Sequence, residues 1–411
     1  IFKADQHLLT TLLGLAQEQL VKMERFGSVY ADEAIIAHSN EGDYTKFMAD
    51  QFSEALRDRI IAVQVPYNLQ VKDEVQIYTK MIEESGLERV HLPPLTLTTM
   101  SVFAILSRLT PPPKGRAIKL LDILRLYDDQ VLPRFSPNDV AVLKRRDPNE
   151  GMSGISPRYV TNRLSRVANT PHLRCISPLQ AVDSLWRGLS ENIALDESDH
   201  KKWIRFVEDT IDEYGKRAVR EVQRAFEERF EHTADQLLND YLTEVATYLS
   251  SEAVPVRIQR SKEPDMMREI EKHAGVKERE RDRFREEIHL FFNILKGRDV
   301  KYDYSTEPRM KAAIESRLFP SQRHMERTLS RPRFARQQVE WARKRGAIFN
   351  RMMQDYGYCD ICANDTIDYV VHILRGGRVL RQLKNNEIEW TWTLEPEPPT
   401  QAAQQPADTP E

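Results

Sequence analysis

The sequence predicts an α/β segment followed by a mostly α-helical chain, and three observations carry that prediction. Apolar runs of strand length alternate with helical periodicity over the first 70 residues. Helical i, i+3, i+4 spacing then dominates, and the 411 residues contain only 15 glycines.

Residues 2–22 place Leu8, Leu9, Leu12, Leu13 and Leu15 on one stripe at helical spacing, which predicts a packed amphipathic helix. The run Ala34, Ile35, Ile36, Ala37 ends in the polar cluster His38 to Glu41, the pattern of a buried parallel strand at its carboxyl edge. "DYTKFMADQFSEALRDR" is helical, and "IIAVQVPYNL" reads as a second buried strand closed by Pro66. Ligands of such sheets sit beyond the carboxyl ends of the strands, where Asn40 falls.

From residue 71 the segments "KDEVQIYTKMIEES", "TLTTMSVFAILSRL" and "IKLLDILRLYDD" predict helices, separated by Pro93-Pro94 and by the Pro-Gly stretch 111–115. The turn "NEGMSGISPR" then leads into a helix over 157–167, with Ser156 as N-cap and Pro157 as first helical residue, where its missing N–H is no loss. Beyond "NTPHLRCISP" a long helical pattern covers 200–249, broken near Val254-Pro255. Further helices are expected over 277–296 and 337–353, with one more at "CANDTIDYVVHIL". The Pro- and Gln-rich end, 391–411, reads as a disordered tail.

Composition narrows the function classes. With 60 Lys and Arg against 63 Asp and Glu, the net charge of −3 gives no global reason for nucleic-acid or membrane binding. No apolar run approaches the roughly 18–20 residues of a bilayer span, three cysteines build no disulfide framework, and the N-terminus shows no signal-peptide organisation, so cytoplasm is the expected location. The opening without Met, directly in a helical pattern, is read as that of a fragment.

Taken singly, the chemical candidates stay open. Asn40 is either a strand-to-loop turn residue or a side chain that orients water against a phosphate. Arg57 and Arg59 are either cations favoured at a helix C-terminus or charges that reach a neighbouring subunit's nucleotide. Arg158 stands in a first helical turn, where the macrodipole disfavours a cation unless an anion is near, so it is a surface residue or a phosphate sensor. GxxxxGK[ST] occurs nowhere in the 411 residues, and neither do the H-R-D, D-F-G or V-A-I-K elements of eukaryotic-type kinases.

Cys359-x-x-Cys362 has the spacing for zinc or redox work. No second Cys or His pair lies at ligand spacing and His372 is a lone neighbour, so no metal is assigned and Cys175 reads as a core thiol or a linker residue. The stretch 323–345, with eight Lys or Arg against two Glu, reads as a solvated face or an oligomer contact, and nucleic acid is not expected there. His200, His232, His273 and His289 lie on charged helices without a ligand partner at i+4.

Together, "ADEAIIAHSNEGDYTKF", "EALRDRIIAVQVPYNLQV", "IYTKMI" and "NEGMSGISPRYVTNRLS" resemble segments of bacterial PrkA-type serine protein kinases, over residues 1–371. The resemblance implies the distal part of an AAA+ P-loop-type sheet over 1–70, a helical lid over 71–168 and an all-helical C-terminal domain over 175–375. It implies ATP and Mg2+, with Asn40 at the sensor-1 position, Arg57 or Arg59 in the arginine-finger region and Arg158 at sensor 2. The family's P-loop and magnesium-binding strand would precede residue 1, so this chain alone is expected not to hydrolyse ATP. Protein substrates, a homo-oligomeric longer parent, no membrane and a stress-linked role complete the expectation. An AAA+ unfoldase or ATP-dependent protease, or a nucleotide-gated scaffold, are the alternatives.

Overall fold

The computed structural model describes residues 12, 15, 17–23, 27–49, 60–86, 89–112, 118–130, 132, 135, 137–191, 197–250, 265–332, 334–377, 380–384 and 387–390. The chain divides into two compact units, 1–65 and 66–411.

In the first unit, β1 (Leu20–Met23) and β2 (Gly27–Tyr30) form an antiparallel hairpin, with Leu20 opposite Tyr30 and Met23 opposite Gly27. The predicted helix over 2–22 lies largely outside the described residues, and its end is strand β1. Neither apolar run expected as a parallel strand is one. Residues 31–40 and 60–65 carry no regular structure, and Ile36 and Ile61 are more than nine-tenths exposed. A buried parallel strand needs neighbours on both edges to satisfy its backbone. Among the described residues of this unit, only the β1–β2 ladder exists. Helix α1 (Glu41–Ala49) follows, with Phe47 buried.

Among its described residues, the regular structure of the second unit is helical apart from a C-terminal hairpin of β3 (Leu380–Lys384) and β4 (Glu387–Trp390). It begins with α2 (Val71–Glu83), α3 (Pro94–Arg108), α4 (Leu120–Tyr127), α5 (Pro137–Lys144), α6 (Pro157–Ala168) and α7 (Pro178–Ser190). Proline opens α3, α6 and α7, where its fixed φ suits the first turn.

Helix α3 is the axis of this core. Met100, Phe103, Ala104, Ile105 and Leu106 are fully buried, and the polar residues of the helix fold back on the backbone: Thr99 Oγ1 donates to Leu95 O (2.6 Å) and Ser101 Oγ to Leu97 O (2.9 Å). A helix apolar on nearly every face is central by necessity, and α2, α7 and α8 (Glu197–Arg224) surround it.

The expected helix over 200–249 is two helices, α8 and α9 (Phe230–Ser250), separated by a turn in which Arg229 takes a φ of 55°. The break is a change of core. Val222 and Ala225 are buried in the first cluster, whereas Phe230, Ala234 and Leu238 are buried in a second one. That second core is completed by α10 (Asp265–His273), α11 (Arg281–Gly297) and α12 (Pro308–Leu318). The chain then returns to the first core through α13 (Gln322–Leu329), α14 (Ala335–Asp355) and α15 (Asp360–Leu374), contributing Met325, Ile348, Met352, Cys362 and Ile367. One continuous core therefore joins residues 71–225 to 325–370. The tail 391–411 lies outside the described residues.

Candidate functional site

The glycine turn ahead of α6 is built from the buried end of α3. Arg108, whose side chain is fully buried, donates from Nε and Nη2 to Ile155 O (2.9 and 2.8 Å), from Nη1 to Asn68 O (2.8 Å) and from Nη2 to Glu74 Oε1 (2.6 Å). Its guanidinium also lies 4.9 Å from the Tyr67 ring centroid. A single planar fork thus fixes three segments at once, a task for which Lys lacks the geometry.

The turn is closely packed. Gly151 has a φ of +84°, its N–H donates to Arg108 O (3.2 Å), and its carbonyl accepts from Tyr67 N (2.8 Å). Gly154, at φ +113°, runs so near α3 that a Cβ would stand 2.8 Å from both Arg108 Cγ and Ser107 O. Ser107 Oγ accepts from Ile155 N (2.9 Å). Glu150 closes the other side, accepting from Thr110 N (3.1 Å) and from the Tyr127 hydroxyl (2.7 Å). Both glycines are required by their positive φ and by close approach, Gly151 to Pro66 and the Tyr67 carbonyl and Gly154 to the end of α3, so the turn is a fixed mount.

From that mount the chain enters α6 as expected. Ser156 Oγ accepts from Tyr159 N (3.2 Å) and Pro157 is the first helical residue. Arg158 follows in the first turn, exposed, and its guanidinium has no hydrogen-bond or ion-pair partner among the described residues. Val160 and Leu164 bury the opposite face. The result is a cation at the positive end of a helix with no anionic partner among the described residues, an arrangement that favours the arrival of an anion.

Asn40 belongs to the first unit, at the start of α1 and not at a strand end. Its Oδ1 accepts from Asp43 N (2.7 Å), the bond of a helix cap. Arg57 and Arg59 lie outside the described residues.

Two sites escaped sequence reasoning. The first is Arg108 itself. The second brings His91, Cys175, Cys359 and Cys362 together, with one potential ligand atom from each and all four atoms within 4.8 Å of one another. Among the described residues this is the only group of three or more side chains placed to share a metal ion. His372, the neighbour offered by the sequence, is not in it. Cys359 caps α15, and its N–H donates to Cys362 Sγ (3.0 Å). The Cys362 thiol is lowered to about 6, first by the hydrogen bond with the Cys175 thiol, and Cys175 is pushed up by the same contact and by burial. A thiolate in a buried, nitrogen-containing cluster is competent for metal binding or thiol chemistry.

The PrkA serine protein kinase C-terminal domain model matches residues 121–369, and the PrkA AAA domain model matches residues 1–116. The chain belongs to the PrkA family. It is 33% identical over 377 residues to the ATP-dependent protease PrkA of Bacillus subtilis, covering 91% of this chain and 59% of that protein. It is 27% identical over 341 residues to the serine/threonine kinase YeaG of Escherichia coli K12, covering 78% of this chain and 51% of that one. The chain thus spans between half and three-fifths of the length of these relatives. No solved structure matches. No helix among the described residues is long and apolar enough to cross a membrane.

Proposed function

We propose that the chain is part of an ATP-dependent serine/threonine protein kinase of the PrkA type, in which Arg158 reads the γ-phosphate. One observation carries the site: an exposed guanidinium, without a partner among the described residues, in the first turn of a capped helix that a buried frame holds in place. Such a cation is preorganised, so stabilising phosphate charge requires little rearrangement of the protein. Asn40 and Arg57 or Arg59 are proposed as sensor 1 and arginine finger on the family resemblance. The phosphates and Mg2+ need groups that these 411 residues do not supply, since GxxxxGK[ST] is absent. The isolated chain is accordingly proposed to be inactive.

A second reading, ATP-dependent proteolysis, is favoured by the name of the Bacillus relative, an ATP-dependent protease. The two separate in one experiment. A chain of the relatives' length is incubated with γ-labelled ATP and casein, beside a variant lacking the P-loop lysine. The expected result is label on serine or threonine that disappears in the variant. ATP-dependent loss of casein without phosphoserine would replace the kinase by the protease, and neither outcome would leave a nucleotide-gated scaffold.

A further inference from the structure

We propose that His91, Cys175, Cys359 and Cys362 form a structural Zn2+ site that joins the two family segments of this chain. The sequence holds three cysteines in 411 residues, and the fold brings all three to one point beside a histidine. All three are free thiols.

The geometry fits zinc closely. With Zn–S bonds of about 2.3 Å, the ligand atoms of a tetrahedral site stand about 3.8 Å apart. The four atoms here lie within 4.8 Å of one another, so a contraction of about 1 Å or less completes the coordination. Three sulfurs and an imidazole select Zn2+ over Mg2+ or Ca2+, which take oxygen ligands. With four protein ligands, no position is left open for a reacting water, which makes the site structural and not catalytic.

A second observation points independently to a ligand. His91 Nε2 is buried and has no hydrogen-bond partner among the described residues. An orphaned buried nitrogen is destabilising, and a metal ion would give its lone pair a partner.

The backbone around the group is already fixed. His91 N–H donates to Arg174 O (2.9 Å) and Ile176 N–H donates to His91 O (3.0 Å), so His91 and Cys175 sit side by side on a short parallel bridge. Cys359 and Cys362 are held by the first turn of α15, with the Cys359 N–H on the Cys362 sulfur. His91 lies in the segment matched by the AAA domain model, and the cysteines lie in the segment matched by the C-terminal domain model. Zinc would therefore staple α15 to the loops that precede α3 and α7, across the family boundary at 116–121.

The test uses the 411-residue chain, reduced, purified without metal-affinity resin, loaded with Zn2+ and dialysed. The expected result is about one tightly held Zn2+ per chain, thiols protected from Ellman's reagent until a chelator is added, and a tetrahedral thiolate spectrum on Co2+ substitution. His91→Ala and Cys359→Ala are each expected to weaken zinc binding by more than about 100-fold, judged against the 10- to 100-fold lost with mere supporting residues. Cys359→His, which keeps a ligand, is expected to retain zinc and so separates lost coordination from failed folding. Zinc far below stoichiometric with all three thiols equally reactive, a disulfide among them in the freshly isolated protein, or full zinc binding in folded Cys359→Ala would each overturn the site.

Discussion

Arg108→Met is expected to destabilise the second unit by about 3–5 kcal/mol, the usual loss when one partner of a buried ion pair is removed. The substitution keeps much of the apolar stem but leaves the Glu74 carboxylate buried with no cation, since both side chains are fully inaccessible. It also strips Ile155 O and Asn68 O of their donors, in a region where unmade hydrogen bonds cost about 1–3 kcal/mol each. Arg108→Lys is expected to recover only part of this, because an ammonium cannot reproduce the fork to Ile155 O, Asn68 O and Glu74. Urea unfolding of the three proteins measures the series. A loss below about 1 kcal/mol for Arg108→Met would mean that the fork does not organise the turn.

Arg285→Met is expected to cost a similar amount, about 3–5 kcal/mol, but in the second core. Arg285 joins α11 to α10 through a two-pronged bond to Glu271, Nε to Oε1 at 2.6 Å and Nη2 to Oε2 at 2.9 Å, with both side chains fully buried. Its guanidinium also stacks 4.4 Å from the Tyr248 ring centroid. After the substitution Glu271 keeps, among the described residues, Arg281 at 3.4 Å and the Tyr241 hydroxyl at 3.4 Å, too little for a desolvated carboxylate. Because this core is formed by residues distinct from those around Arg108, amide exchange is expected to accelerate in α9–α12 and to change little in α3 and α6. Uniform acceleration across both cores would show that they unfold as one unit.

What could be read from the sequence was local. Ser156 and Pro157 are a cap and a first-turn proline in the structure because a helix start is decided within four residues, and Arg158 faces solvent for the same reason. The helices at 71–83, 94–108, 120–127 and 360–374 follow their apolar spacing.

What was missed depends on distance along the chain. Arg108 ends an apolar helical segment, and its partners Glu74 and Ile155 lie far from it in sequence, so nothing local marks it. The zinc ligands escaped because spacing rules search near a Cys-x-x-Cys pair, whereas His91 and Cys175 arrive through the packing of α3 and α7 against α15. A signal was present: a chain with so few cysteines that places two of them at the start of a helix. The strands expected at 34–37 and from residue 60 rest on apolar runs and the polar or Pro residues that close them, which do not supply the neighbouring strands that a sheet requires. The break at 225–229 was hidden because both cores demand the same helical period.

The most direct measurement compares ATP turnover and thermal unfolding of Arg158→Ala with the parent, in a chain of the relatives' length. An exposed cation without a partner among the described residues contributes little to folding, so the unfolding midpoint is expected to stay put while turnover falls by roughly 10- to 100-fold, the scale of losing one charge-stabilising group. Turnover per folded molecule that is unchanged by the substitution, or a midpoint that falls along with it, would contradict the assignment of Arg158 to the phosphate and return it to the surface of α6.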